Sequence, residues 1–83
     1  MAKLYVIHDT KLKVDLVPFL HHIEGAAKNH FVQYAQSAGH SDLALYSIME
    51  FDYYEDSSMF NIQNVERFFI MNAPVNNEGE NNG

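Results

Sequence analysis

Two segments of this chain are apolar on both sides of a period-two alternation. In LALYSIMEFD, residues 43–52, Leu43, Leu45, Met49 and Phe51 fall on one side of a strand, and Tyr46 and Ile48 on the other. In KLYVIH, residues 3–8, Leu4 and Val6 share a side with His8, while Tyr5 and Ile7 share the opposite one. A strand that is apolar on both faces has to be covered on both faces. Between these segments the period changes. Ile23, Ala27, Phe31, Tyr34 and Ala38 recur at helical spacing, which predicts one apolar stripe on a helix over 23–38. Glu24 and Lys28 form an i,i+4 pair, and Glu24 suits the positive end of the helix dipole. Gly25 is best tolerated in a first turn, and Gly39 supplies the stop.

The remaining segments carry weaker signals. Thr10–Leu20 has no clear period and reads as a connection, with Pro18 holding Val17 extended. Tyr53–Ser58 (YYEDSS) reads as a hairpin loop and Met59–Ile62 as the returning strand. Val65–Met71 reads as a further strand or a short helix. Its run Phe68, Phe69, Ile70, Met71 has no polar partner and is expected to be buried. From Asn72 onward the composition changes to Asn, Gly and Glu. Residues 72–83 are expected to form a disordered acidic tail behind a single domain of residues 1–71.

The element order is β–α–β–β. It predicts an α+β domain with a three- to four-stranded mixed sheet and one helix packed on one face. If the first two strands are parallel neighbours, the helix is a right-handed crossover between them. One helix covers one face, so the second face needs another subunit or a ligand. A homodimer is expected, with Ile48, Phe68, Phe69 and Met71 at the interface.

Composition sharpens this picture. In 83 residues there is no Cys, so neither a disulfide nor a thiolate zinc site supports the small core. Eleven acids against five bases give a net charge of −6, which argues against a strongly basic nucleic-acid binder. The charge is nevertheless uneven. Lys3, Lys11 and Lys13 lie in the first fifteen residues, and Asp52, Glu55, Asp56, Glu66, Glu78 and Glu80 in the last third. No apolar run reaches secretory or membrane-spanning length, so a soluble cytoplasmic protein is expected.

Aromatic residues are the leading candidate chemistry. With the first two strands adjacent, Tyr5 and Tyr46 pair on one face as a stacking platform for unpaired bases, with Lys3, Lys11 and Lys13 beside it for phosphates. The same two tyrosines equally suit a core or a dimer contact, since a Tyr ring is apolar while its hydroxyl can stay wet. His21, His22 and His30, with His8, Asp9 or Glu24 as a third ligand, lack the spacing of a metal motif, so neither metal nor cofactor is expected. His40-Ser41-Asp42 has no nucleophile elbow, and Asp52, Glu55 and Asp56 lack calcium-loop spacing. No catalytic residue is identified, and the chain is not expected to be an enzyme.

Four segments together resemble the small nonstructural protein family of gokushovirus-type microviruses, which are single-stranded DNA phages. They are Lys3-Leu4-Tyr5-Val6-Ile7-His8-Asp9; Pro18-Phe19-Leu20 followed by the Gly25-x-Ala27 helix opening and Phe31; Leu45-Tyr46-Ser47-Ile48 leading to Glu50-Phe51-Asp52; and the polar turn after it. Val17, Glu24 and Met49 depart from the family's usual Pro, Asp and Gly. The resemblance implies a non-virion accessory protein of the infected bacterium's cytoplasm. It also implies a DNA-binding label, with weak single-stranded DNA binding or modulation of genome replication or packaging as the expected role. The alternative is a protein–protein interaction module that binds a host or phage protein without nucleic-acid contact.

Overall fold

A computed structural model describes residues 2–54, 56 and 59–74. The fold is α+β: five strands in one wholly antiparallel sheet, and one helix. The elements are β1 (Ala2–Asp9), β2 (Val14–Asp15), β3 (Phe19–His21), α1 (Glu24–Ala38), β4 (Leu43–Tyr54) and β5 (Met59–Asn72). On one side β1 pairs with β4, from Ala2↔Phe51 to Asp9↔Leu43. On its other side it pairs with β3 at one end and β2 at the other. β5 pairs with the outer edge of β4.

This arrangement corrects the expected mixed sheet of three or four strands. The β1 and β4 strands are neighbours, but they run antiparallel. The reason lies in the stretch read as a plain connection. A turn at residues 10–13 reverses the chain, and β2 and β3 run back along β1. The helix therefore joins β3 to β4, two strands of like direction that flank β1. The side chains of β1 thus lie at the centre of the helix-covered face.

That face holds the core. Tyr5 and Ile7 from β1, and Leu43 and Leu45 from β4, pack with Ala27, Phe31 and Ala35 of α1. The buried helix row is a strict i,i+4 ladder: two alanines allow close approach and Phe31 fills the space between them. Ile23 and Tyr34 were expected on this stripe, but they are 69% and 42% exposed. Ile23 is extended and caps the helix rather than belonging to it. Gly25 falls in the first turn, and the Glu24–Lys28 ion pair forms at 3.5 Å. Gly39 ends the helix at φ 76°, donating its N–H to Ala35 O.

A bulge settles which face each β4 side chain takes. Tyr5 pairs with Ser47 but Leu4 pairs with Met49, so Ile48 is the extra residue. Leu43 and Leu45 face the helix, whereas Met49 and Phe51 alternate onto the opposite face with Tyr46. A strict period of two had placed them with Leu43.

β5 is one 14-residue strand where a strand plus a strand-or-helix was expected. Phe68 and Phe69 are exposed rather than buried, because β5 is an edge of the sheet and has no layer beyond it. The domain also extends past 71: Asn72 belongs to β5, and Ala73 is buried and donates its N–H to Leu43 O at 2.9 Å. Within the expected hairpin loop and tail, Glu55, Ser57, Ser58 and residues 75–83 lie outside the described residues.

Because Phe31 is fully buried at the helix–sheet junction, Phe31→Ala is expected to cost about 3–5 kcal/mol, comparable to the whole stability of so small a domain. Gly39→Ala, at a left-handed φ, is expected to cost about 1 kcal/mol. Urea denaturation followed by circular dichroism measures both. Equal small effects at the two sites would contradict this packing.

Candidate binding surface

The sheet face opposite the helix has no second layer of secondary structure among the described residues. Small side chains on it are nevertheless buried, with Val6 and Ala44 almost closed to solvent. A row of larger side chains running across the strands lies over this region. Asp15 comes from β2, His8 from β1, Tyr46 from β4, and Arg67 and Phe69 from β5. Register brings them together: His8 is paired with Asp15 and Ala44, and Tyr46 with Val6 and Phe69.

The row is bonded from end to end. The Arg67 guanidinium donates from Nη1 to Asp15 Oδ2 at 3.0 Å and from Nη2 to Asp15 Oδ1 at 2.9 Å. His8 Nδ1 lies 2.8 Å from Asp15 Oδ1. To reach Asp15, Arg67 passes over the Tyr46 ring, with its guanidinium carbon 4.1 Å from the ring centroid. His8 and Phe69 each meet Tyr46 edge-on, at 5.9 and 5.7 Å between centroids. The Arg67 and His8 hydrogen bonds hold the Asp15 carboxyl below the usual carboxylate range, and Asp15 in turn holds the Arg67 guanidinium above its ordinary value. Both side chains are nearly half exposed, so this strap is accessible to solvent and to ligands.

The turn between β1 and β2 adds positive charge at the same end of the sheet. Asp9 organises it: Oδ1 accepts the N–H groups of Lys11 and Leu12, and Asp9 O accepts the N–H of Lys13. Lys13 takes a left-handed φ of 60°. Among the described residues, neither Lys11 nor Lys13 has an acidic side chain within ion-pair distance. Lys3 and Lys28 instead share Glu24 at the start of the helix. The carboxylates Glu50, Asp52 and Asp56 lie toward the far end of the β4–β5 ribbon, where Asp52 accepts from Gln63.

The candidates from sequence are therefore divided. Lys11 and Lys13 lie in the turn at the Asp9 end of β1, beyond the Val6 that Tyr46 pairs with, whereas Lys3 sits at the opposite end of β1. Tyr5 does not join Tyr46 on one face. Tyr5 pairs with Ser47 and Tyr46 with Val6, so the two rings point to opposite sides of the sheet. Tyr5 is 1% exposed and stacks on Phe19 under the helix, and its burial raises the hydroxyl's pKa. Of the interface candidates, Phe68 and Phe69 are exposed on the β5 edge, Ile48 is the half-buried bulge residue, and Met71 borders the core. Sequence reasoning missed His8, Asp15 and Arg67 as parts of this surface, and it had placed Phe69 at a dimer interface rather than beside Tyr46. Asp15 and Arg67 are 52 positions apart, and the β2 strand that brings them together left no periodic signal.

The other histidine chemistry is limited. His21 and His30 approach to 5.8 Å between ring centroids, with His30 stacked on Phe19 at 4.0 Å. Among the described residues no group of three or more His, Asp or Glu could hold a metal ion. His40 Nδ1 accepts the Asp42 N–H at 3.3 Å, a local turn contact. No described helix is long and apolar enough to cross a membrane. Scans of protein-family models, curated proteins and solved structures find no match to this chain.

The strap has a pH signature. With its pKa lowered in the fold, Asp15 contributes to stability above the ordinary carboxylate pKa, near ~4. That contribution disappears as pH falls through the lowered value. Carboxyl-carbon NMR should show Asp15 titrating below the ordinary range, and Arg67→Ala should move it upward. An ordinary or raised value in the unmodified protein would contradict the bidentate contact.

Proposed function

We propose that this chain is a non-catalytic binding protein that takes single-stranded DNA on the uncovered sheet face. The observation that carries this reading is one group of side chains. Phe69 presents an exposed aromatic ring on the sheet, Tyr46 carries the Arg67 guanidinium over its face with His8 at its edge, and Lys11 and Lys13 lie in the turn at the Asp9 end of β1. Bases stack on strand-borne aromatics for ~1–3 kcal/mol each, with little sequence preference. Phosphates then meet Arg67 and the lysines of the β1–β2 turn, which lie among Asp9, Asp15 and Asp42. The net charge of −6 keeps the binding weak and dependent on salt, because only the local cations favour it. The resemblance to microvirus nonstructural proteins agrees with this reading and adds its setting: an accessory role in phage genome replication or packaging within the bacterial cytoplasm.

Tyr5 and Lys3 have no part in this surface. One is enclosed under the helix, and the other is paired with Glu24 at the far end of β1. Protein partnership is the second reading, with a second copy of the chain as the partner. It is favoured by the exposed β5 row of Met59, Ile62, Val65, Phe68 and Phe69. Against it, the β4–β5 register shifts three times, and such irregularities blunt an edge against further strand pairing.

Fluorescence anisotropy with labelled oligo(dT) tests the first reading. Binding is expected at low salt and should weaken steeply as salt rises. Tyr46→Ala and Phe69→Ala should each cost ~1–3 kcal/mol. Lys11→Glu should weaken binding and flatten the salt slope. Phe68→Ala, on the helix side of the sheet, should leave binding unchanged. No affinity at about 20 mM salt, with sedimentation showing a stable dimer that Phe69→Asp dissociates, would favour self-association instead.

A further inference from the structure

We propose that Arg67, assisted by His8, is the phosphodiester-recognition point of this surface, and that Asp15 is a built-in competitor occupying that point. The inference rests on the single-stranded DNA reading and adds its regulation. A guanidinium presents a planar fork that matches carboxylate and phosphate alike. In this structure the fork is filled from within the chain: both Asp15 oxygens accept from Arg67, and Oδ1 is also within hydrogen-bond distance of His8. Asp15 thus stands where two oxygens of a phosphodiester would stand, bound by the same donors. The two side chains come from opposite edges of the sheet, so the contact also closes a strap over Tyr46.

Two features make the strap displaceable. Both partners are nearly half exposed, and ion pairs at such sites are weak because water and salt compete for them. Asp15 is itself outside the core, although its neighbour Leu16 packs against it, so the Asp15 side chain can rotate away while the strand stays in place. A phosphate entering the fork releases Asp15, keeps Arg67 above Tyr46, and leaves His8 free to donate to the same anion. With Asp15 in place, Arg67 offers little net positive charge to an approaching strand. This internal neutralisation adds a local reason for weak binding to the one supplied by the net charge of the chain.

Binding of labelled oligo(dT) to the full chain, to Asp15→Asn and to Asp15→Asn/Arg67→Gln tests the idea. Asp15→Asn should bind about five-fold more tightly and with a salt slope steeper by about 0.7. Adding Arg67→Gln should abolish both gains. If the unmodified chain binds and Asp15→Asn binds no more tightly, the competitor role is overturned while the DNA surface stands. If neither folded protein binds at low salt, both fail. Should Asp15→Asn lose its fold by circular dichroism, NMR of the unmodified chain decides. Oligo(dT) should shift the Arg67 guanidinium resonances and return the Asp15 carboxyl toward ordinary titration. Binding without either change overturns the proposal.

Discussion

The fold depends on one helix being all that the described residues supply to bury a five-stranded sheet. Phe31, between Ala27 and Ala35, seats the helix over Tyr5, Ile7, Leu43 and Leu45 and uses up its narrow apolar row there. The opposite face must then be roofed by its own side chains. That is why a cationic side chain, two aromatic rings, an imidazole and a carboxylate reach across four strands on the face that carries Val6 and Ala44.

A roof made of solvent-exposed side chains differs from one made of a second layer. It lowers the exposure of the small residues beneath it, yet it holds itself in place by surface hydrogen bonds, an ion pair, and cation–π and ring-edge contacts, which are individually weak. It can therefore be rearranged without unfolding the domain. The helix-covered face lacks that freedom, because its contacts are apolar and close-packed. Stability and binding are thus assigned to opposite faces of one sheet, and β1 contributes to both through alternate residues: Tyr5 and Ile7 to the core, His8 to the surface row.

Charge follows the same division. Glu24 draws Lys3 and Lys28 to the helix start, and the β4–β5 ribbon carries Glu50, Asp52 and Asp56. Lys11, Lys13 and Arg67 lie at the other end of the sheet, together with Asp9, Asp15 and Asp42. The Asp9 carboxylate, which is turned into its own loop, keeps the two lysines in a defined turn.

Much of the local structure was readable from the residues alone. Apolar alternation marked β1 and β4, helical spacing marked α1, and Gly39 marked its end, because each of these signals is a repeat or stop set by backbone geometry over a few positions. The same alternation correctly implied that one helix would leave a face uncovered. What the residues did not disclose was direction and side. Two short strands without a period reversed the chain before the helix, and one extra residue, Ile48, exchanged the faces of Met49 and Phe51. The chain reversal brings Asp15 toward Arg67, and the pairing of Tyr5 with Ser47 and of Val6 with Tyr46 puts the two tyrosines on opposite faces. Register and bulges are fixed by pairing between distant segments, and so the composition of the surface row was decided only when the sheet assembled.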